Sequence, residues 1–254
     1  MGKATWVNVG GVFKNVTNVW QNVGGVWKQK VISKLNVGGV WKECIGYSID
    51  RLYHCDASAD KNYELNIDAS ATISTVPSPS NSPYGIGGIS GRLYHCDYNT
   101  RKNYELNIDT LATISTVSSP SSNPVGIGGI SGRLYCCDHV TQRNYELNVD
   151  TLASIKSVAF PSAYPFGIGG TNNRLYYCND YLNKNFELNV DTLAEIRGLA
   201  SPTTYPVGIG GISGRLYHCG GSPANNFEMN IDTLATINTI TSLNDSPRGI
   251  GGVK

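Results

Sequence analysis

The sequence predicts an all-β fold: a five-bladed β-propeller of 41-residue, four-stranded blades, preceded by a short β-hairpin stem. Arg51 opens the run Arg-Leu-Tyr-x-Cys, which returns every 41 residues to make five copies without an insertion. Charged residues make up only 15% of the chain, whereas residues that favour strands and tight turns (Gly, Tyr, Val, Ile and Thr) are abundant. A four-stranded repeat of about 40–45 residues has the size of one propeller blade.

The stem is predicted over residues 1–43. Asn-Val-Gly-Gly-Val-(Phe/Trp)-Lys occurs there three times, beginning at Asn8, Asn22 and Asn36. Gly-Gly between valine-rich flanks predicts a two-residue hairpin turn, and isolated hairpins bury little surface. We therefore expect the aromatic residues of the stem to form an interface with the propeller, with sister chains or within a larger assembly, and we favour the assembly. These residues are Trp6, Phe13, Trp20, Trp27 and Trp41.

The propeller is predicted over residues 44–254, with four strand-length segments in each repeat. Arg-Leu-Tyr-x-Cys is followed by Asn-(Tyr/Phe)-Glu-(Leu/Met)-Asn, by an Asp-Thr step that suits an Asx-type turn, and by a third segment such as residues 111–117. Gly-Ile-Gly-Gly closes the repeat, and its glycines favour the innermost strand, where backbones approach closely.

Two segments of the sequence could form the strand that closes the ring. Cys44-Ile-Gly-Tyr47 aligns with the Gly-Ile-Gly-Gly segments, so that either the first or the last copy of this strand can complete the ring. An open solenoid of five units is the rival arrangement, but it would lack the capping repeats that such arrays need.

The Asn-Val-Gly-Gly-Val-Trp-Lys repeats of residues 1–43 resemble short modules of phage tail-fibre and other virion structural proteins. The resemblance implies a virion component: a tail fibre, an adaptor or a capsid-attached decoration that displays the propeller for assembly or host-surface binding. It also implies partners, namely other virion proteins and further copies of the chain, with a trimer as one form. The implied location is the virion, with synthesis and assembly in the host cytoplasm.

Charge and hydropathy exclude several other partners. The net charge of +1 predicts neither nucleic-acid binding nor attraction to an anionic membrane. No run of 18 apolar residues occurs, so membrane insertion is not expected. The first twenty residues do not have the pattern of a secretory signal, which agrees with assembly in the cytoplasm.

Cysteine and histidine recur in the repeats, and both predict a structural role. Equivalent positions in neighbouring blades are too far apart for disulfides, whose Cα atoms lie about 4.4–6.8 Å apart, so we predict buried, reduced thiols. His54, His95 and His218 share one repeat position. Side chains repeated once per blade point into separate grooves and do not converge on one ion, so neither a metal nor another cofactor is predicted. The cysteines are Cys55, Cys96, Cys137, Cys178 and Cys219, with Cys44 and Cys136 in addition.

Glutamate recurs in one strand of every repeat and arginine at the start of another. Catalysis needs groups of unlike role at one place, whereas identical residues in every copy favour an Arg–Glu pair or a Glu-to-backbone hydrogen bond between blades. No nucleophile-elbow, metalloprotease or phosphate-loop motif occurs. We therefore predict no catalytic residues and no enzymatic activity. The glutamates are Glu64, Glu105, Glu146, Glu187 and Glu228.

Binding specificity is expected where the copies differ, in two sets of loops. The first set follows Arg-Leu-Tyr-x-Cys, as in residues 98–102, and the second precedes Gly-Ile-Gly-Gly, as in residues 159–166. Aromatic residues beside Ser and Asn suit glycan stacking, although the same rings could instead cap the blade edges. A free carbohydrate-binding lectin with one weak site per blade is therefore the alternative function. The candidate glycan residues are Tyr84, Tyr164, Phe166 and Tyr205.

Overall fold

A computed structural model describes residues 50–67, 71–160, 164–222, 224–242 and 246–253. It also describes the backbone of six strands between Thr5 and Cys44. The chain divides into two compact units, Met1–Ile49 and Asp50–Lys254. The described part of the chain contains no helix that is long and apolar enough to cross a membrane.

The described strands of the first unit form three separate antiparallel hairpins, as predicted. In each hairpin the register pairs the two valines that flank Gly-Gly, for example Val9 with Val12, so that the connection has two residues. Trp6 lies opposite Asn15 in the register, and Phe13 lies opposite Asn8. The side chains of the predicted aromatic interface lie outside the described residues. The strands are β1 (Thr5–Val9), β2 (Val12–Val16), β3 (Val19–Val23), β4 (Val26–Lys30), β5 (Ser33–Val37) and β6 (Val40–Cys44).

The second unit is a five-bladed β-propeller of four-stranded antiparallel sheets, which confirms the predicted fold. The innermost strands are β10 (Pro83–Ile89), β14 (Pro124–Ile130), β18 (Pro165–Thr171), β22 (Pro206–Ile212) and β26 (Pro247–Val253). The second strands are β7 (Arg51–Asp56), β11 (Arg92–Asp97), β15 (Arg133–Asp138), β19 (Arg174–Asn179) and β23 (Arg215–Gly221). The third strands are β8 (Lys61–Asn66), β12 (Lys102–Leu106), β16 (Arg143–Leu147), β20 (Lys184–Leu188) and β24 (Ala224–Met229). The outermost strands are β9 (Ala71–Pro77), β13 (Thr113–Ser118), β17 (Ser154–Ala159), β21 (Glu195–Ala200) and β25 (Thr236–Thr241).

Sequence repeat and blade are out of phase by one strand. The Gly-Ile-Gly-Gly segment that ends one repeat forms the innermost strand of the next blade, so that β10 to β13 form blade 2, and blades 3, 4 and 5 follow in order. Blade 1 consists of β7, β8 and β9 with β26 from the C-terminal end as its innermost strand. The last copy therefore closes the ring, which excludes the open solenoid.

Steric contacts at the axis explain why the last copy closes the ring. In blade 1, Gly252 of β26 occupies the position that aligns with Tyr47, and a Cβ added to Gly252 would lie 2.4 Å from Cβ of Ile212 in blade 5. The same crowding recurs between neighbours, because a Cβ on Gly128 would lie 2.5 Å from the carbonyl oxygen of Ile168. Only a strand that has glycine at these positions fits beside its neighbours, as the prediction of axial glycines requires.

The described cysteines are buried free thiols, as predicted. Cys55, Cys96, Cys137, Cys178 and Cys219 each have no exposed surface, and every blade also has a fully buried tyrosine, with two in blade 4. Burial raises the pKa of the Cys178 thiol to about 12. These thiols therefore pack as small hydrophobic groups.

Two local details differ from the sequence prediction. The Asx turn belongs to Asn107, whose Oδ1 accepts hydrogen bonds of 2.9 Å from the main-chain amides of Asp109 and Thr110. The outermost strand begins at Thr113, two residues later than predicted, because Leu111 is buried in this turn with φ of +55°. The turn leaves the Asp109 carboxylate exposed, where another blade can bind it.

The ends of the blades define two faces of the propeller. The turn face carries the tight turns Ser90-Gly91 and Asn107–Leu111 with their equivalents in other blades, and Asp50, the first residue of the propeller unit, lies on it beside β7. The loop face carries both sets of variable loops, represented in blade 2 by residues 78–82 and 98–101.

Candidate functional site

Each repeated arginine is bound inside the framework. Arg92 forms a bidentate pair with Glu105 of its own blade, with bonds of 2.7 and 2.9 Å, and its Nη1 donates a 2.6 Å bond to Asp150 of the next blade. The hydrogen bonds from Arg92 hold the pKa of Glu105 below its ordinary value. The predicted Arg–Glu pair exists, but it lies within a blade. The contact between blades is made by the arginine to an aspartate that the sequence analysis did not single out.

The same arrangement recurs around the ring. Arg51 binds Asp109, Arg133 binds Asp191 and Arg174 binds Asp232, each in the following blade. At the closure, Arg215 pairs with Glu228 and donates a 2.8 Å bond to the carbonyl oxygen of Ile67 in blade 1. These charged residues therefore hold the blades together and are not gathered at one place.

A buried tyrosine adds a second contact between blades. The hydroxyl of Tyr94 donates a 3.0 Å hydrogen bond to the carbonyl oxygen of Val149 in the next blade. The Arg92 guanidinium lies 5.5 Å from the centre of the Tyr94 ring. Burial raises the pKa of Tyr94 to about 12, against the opposing charge of Arg92. Equivalent hydrogen bonds to carbonyl oxygens of the next blade are donated by the hydroxyls of Tyr53, Tyr135 and Tyr176.

The three repeated histidines are buried in separate blades. Burial lowers the pKa of His95 to about 4 and that of His218 to about 3, so these rings are neutral near pH 7. His218 Nε2 lies 3.2 Å from the hydroxyl of Ser201. In blade 4, Tyr177 and Phe160 replace this pair, with ring centres 4.6 Å apart. No group of three or more His, Cys, Asp or Glu side chains among the described residues is arranged to hold a metal ion.

Buried aspartates fix the loops of the loop face. Asp97 accepts a 2.6 Å hydrogen bond from the amide of Thr100 in one loop and a 2.8 Å bond from the amide of Ser82 in the other. Asp138 does the same in blade 3 and also accepts a 2.7 Å bond from the hydroxyl of Ser121. Because these carboxylates are buried and saturated with hydrogen bonds, the two loops of a blade are held beside one another.

Residues of unlike type converge on the loop face. Arg248, the second residue of β26, lies with its guanidinium carbon 5.0 Å from the centre of the Tyr84 ring, on the neighbouring strand β10. Tyr84 in turn packs on Tyr98, with ring centres 5.1 Å apart. Blades 1 and 2 thus bring one guanidinium and two phenol rings together.

Blades 3 and 4 contribute a second group of rings. His139 of blade 3 packs on Phe166 and Tyr164 of blade 4, with ring centres 4.7 and 5.1 Å apart. Tyr164 also packs on Tyr181 at 5.6 Å, and its carbonyl oxygen accepts a 3.4 Å hydrogen bond from the Asp180 amide. Together with the first group, these residues form the loop-face cluster: Tyr84, Tyr98, His139, Tyr164, Phe166, Asp180, Tyr181 and Arg248.

Electrostatics connect the two halves of the loop-face cluster. Burial raises the pKa of Asp180 above its ordinary value, and the charges of His139 and Arg248 oppose that shift. Each of these three side chains has one buried polar atom that forms no hydrogen bond to the described residues: Asp180 Oδ1, His139 Nδ1 and Arg248 Nε. Such atoms are rare in native structures and call for an explanation, of which a bound ligand is one.

Three of the four predicted glycan residues lie in this cluster. Tyr84 is half-buried, Phe166 is buried, and Tyr164 is 44% exposed. Tyr205 is 56% exposed on the loop face of blade 5 and forms no ring contact with the cluster. The glycan prediction itself stays a prediction.

Sequence analysis did not single out the polar members of the cluster. His139 and Asp180 occupy one repeat position, where the other copies have Ala57, Tyr98 and Gly221. Arg248 shares another position with Tyr84 and Phe166. These positions stood out as differences between copies, but the repeat alone does not show that both lie on the loop face.

The turn face has a different character. A cavity of about 370 Å³ opens there around the axis and is lined by small, uncharged groups such as Ser90, Ser131 and Asn172. Towards the middle of the axis, glycine backbones leave a cavity of only about 10 Å³. The described residues that line this larger cavity include no charged and no aromatic side chain.

Comparison with known proteins identifies the fold alone. No protein-family model matches the chain, and no curated protein does. A chain of a nidogen–laminin complex has a TM-score of 0.59 at 11% identity, covering 80% of this chain and 98% of that one. Myxococcus xanthus glutaminyl cyclase has a TM-score of 0.55 at 14% identity, covering 72% and 82%. A streptogramin B lyase has a TM-score of 0.50 at 19% identity, covering 92% and 83%.

Enzymes and a protein from a binding complex therefore share this fold at low identity. A fold that hosts many functions does not by itself separate a binding protein from an enzyme. Function must be argued from the site.

Proposed function

We propose that this chain is a non-enzymatic structural protein of a bacteriophage particle, a tail fibre, adaptor or capsid-attached decoration, that displays its propeller to bind the host surface. The observation that carries the proposal is a difference between the charged residues that every repeat shares and those that occur in single repeats. Charged residues that recur in every copy are bound to one another within and between blades, whereas Asp180 and Arg248, whose positions differ between copies, lie in the loop-face cluster.

The recurrent residues lack the properties of catalytic groups. Glu105 is held ionised by its bidentate contact with Arg92, and His95 is buried and neutral. In the loop-face cluster, His139 and Asp180 form no hydrogen bond with each other in the described structure, so they do not make the linked base and orienting group of a catalytic triad. Aromatic faces with a few unlike polar groups are instead typical of a binding site.

Connectivity supports display of the loop face. Asp50 leads into β7 at the turn face, and the loop face lies at the other ends of the same strands. Asp50 and the loop face thus lie at opposite ends of the strand β7.

The stem supports the virion assignment through its resemblance to phage fibre modules. Its hairpins carry an aromatic residue at recurring register positions, as with Trp27 opposite Asn22 and Trp41 opposite Asn36. Aromatic residues repeated on small hairpins suit an interface with other virion proteins and with further copies of the chain.

Two measurements test the proposal. Electron microscopy of particles that encode this chain, labelled with antibodies to the propeller, should show it on the particle surface, and mass spectrometry should find it in purified particles. In light scattering, the full-length chain should be an oligomer, and replacing Trp20, Trp27 and Trp41 by serine should shift it towards the monomer. A Tyr205→Ser variant is the control for loss of an exposed aromatic residue.

Absence of the chain from purified particles, together with a soluble monomer that binds glycans, would contradict the virion role and favour the free lectin. A monomer that is absent from particles and binds no glycan would contradict both functions.

A further inference from the structure

We propose that the loop-face cluster is one binding site per propeller for an acidic saccharide, with Arg248 binding the carboxylate of the sugar. The inference deepens the proposed host-surface binding and rests on it. It names the ligand class and the number of sites, neither of which follows from the display role.

Arg248 differs from the framework arginines because none of the described residues forms an ion pair with it. Arg92 and its equivalents each bind a glutamate through two nitrogens. Among the described residues, no carboxylate lies within 4.0 Å of the Arg248 guanidinium, and its Nε forms no hydrogen bond although it is buried. The planar guanidinium, stacked near Tyr84, presents a fork of donors that matches a carboxylate.

The other members of the cluster offer the apolar surfaces and the hydrogen-bonding groups that bind a sugar ring. Tyr84, Tyr98 and Tyr164 are partly exposed and offer apolar ring faces. The Asp180 carboxylate can accept hydrogen bonds from sugar hydroxyls, and the imidazole of His139 can donate or accept one. Because Asp180 is itself negative when ionised, the cluster favours a ligand with a single carboxylate beside neutral hydroxyls over a densely charged anion.

Only one such set of residues exists around the axis. The positions equivalent to Arg248 in blades 3 and 5 hold Val125 and Val207, and the positions equivalent to Asp180 in blades 1 and 5 hold Ala57 and Gly221. A site built from blades 1, 2, 3 and 4 therefore occurs once. This contrasts with the one weak site per blade expected of a repeated lectin.

The experiment is calorimetric titration of the full-length chain with trigalacturonate and with its carboxyl-reduced, neutral counterpart. Sialyllactose and lactose form a second acidic and neutral pair. We expect one site per chain for an acidic probe, and binding of its neutral counterpart about 10- to 100-fold weaker, because a charge-assisted hydrogen bond is lost.

Variants assign the site. Arg248→Gln should weaken binding of the acidic probe by about 10- to 100-fold, so that the acidic probe no longer binds more tightly than its neutral counterpart. Arg101→Gln removes the same charge from an exposed loop-face position outside the cluster and should have no effect, and Tyr205→Ala tests a site on blade 5 in the same way. Circular dichroism and thermal unfolding of each variant verify that it is folded.

The outcomes separate this inference from the proposed function. Five equivalent sites, equal binding of acidic and neutral probes, or wild-type binding by Arg248→Gln would overturn the acidic-saccharide site. If a neutral probe binds and Tyr84→Ala abolishes this binding, the proposal of host-glycan binding is supported, but the role of a sugar carboxylate is not. If no probe binds, the inference fails, while particle labelling still decides the virion role.

Discussion

The hydroxyl of Tyr94 in blade 2 donates a 3.0 Å hydrogen bond to the main-chain carbonyl oxygen of Val149 in blade 3. Removing this hydroxyl leaves a carbonyl group at the blade interface without its donor. We expect Tyr94→Phe to lower the free energy of unfolding by about 1 kcal/mol, measured by urea denaturation of the full-length chain. Tyr181→Phe is the control, because Tyr181 is 71% exposed. Equal stability of both variants would show that the bond contributes nothing.

The two carboxylates bound by Arg133 should contribute unequally. Glu146 is largely buried and binds Arg133 through both oxygens, whereas the Asp191 side chain is 89% exposed. We expect Glu146→Gln to lower the free energy of unfolding by about 2 kcal/mol, because it leaves the half-buried Arg133 guanidinium poorly paired. Asp191→Asn should cost less than about 1 kcal/mol, as exposed ion pairs do. Urea denaturation at two salt concentrations measures both, and a larger loss for Asp191→Asn would contradict the assignment.

Replacement of an axial glycine should disrupt the ring. A Cβ on Gly128 would lie 2.5 Å from the Ile168 carbonyl oxygen and 2.9 Å from Cα of Gly169. Both are backbone atoms of a neighbouring blade, so we expect Gly128→Ala to cost about 3 kcal/mol or more. Gly91→Asn is the matched control, because nothing lies within 4 Å of its Cβ position and blade 4 has Asn173 there with φ of +61°. Thermal unfolding that ranks the two variants in the opposite order would contradict the packing.

The buried histidines should make the fold sensitive to acid. Burial lowers the pKa of His54 and His95 to about 4 and of His218 to about 3. Below an ordinary pKa of about 6.5, the unfolded chain therefore binds protons that the folded chain does not, and stability falls as the pH decreases towards 4. From pH 7.5 to 5 we expect a loss of about 2 kcal/mol per histidine.

Blade 4 supplies the matched variant for this prediction. Changing Ser201 to Phe and His218 to Tyr introduces the pair that blade 4 has in Phe160 and Tyr177. Between pH 7.5 and 5, we expect the free energy of unfolding of this double variant to fall by about 2 kcal/mol less than that of the wild type. Urea denaturation at both pH values measures the difference. An unchanged pH dependence would show that His218 is not the titrating group.

The five blades and the axial glycines could be predicted because each depends on a pattern that one repeat contains. Close approach of backbones requires glycine, and the repeat shows glycine at the same position every time. The buried cysteines followed from the same regularity. The closing strand could not be predicted from the pattern, since it depends on whether a side chain at the position of Tyr47 has room beside Ile212.

Contacts between blades were harder to predict than the blades. Asp109 binds Arg51, which precedes it by 58 residues, and the bond forms only because the turn of Asn107 directs the carboxylate to the previous blade. The loop-face cluster depends on which blades adjoin in the ring. Arg248 and Asp180 belong to different repeat positions in different blades, and nothing in the spacing of a single repeat brings them together.

The central claim is that the charged residues common to all copies hold the blades together, whereas the loop-face cluster, whose polar residues differ between copies, forms the binding site. The free energy of unfolding of full-length Asp180→Asn at pH 7 tests it most directly. Burial raises the pKa of Asp180, so its charged form is disfavoured in the folded chain and the amide removes that cost. The account predicts stability equal to or greater than that of the wild type. A loss of about 2 kcal/mol, as expected for Glu146→Gln, would place Asp180 in the framework and contradict the claim.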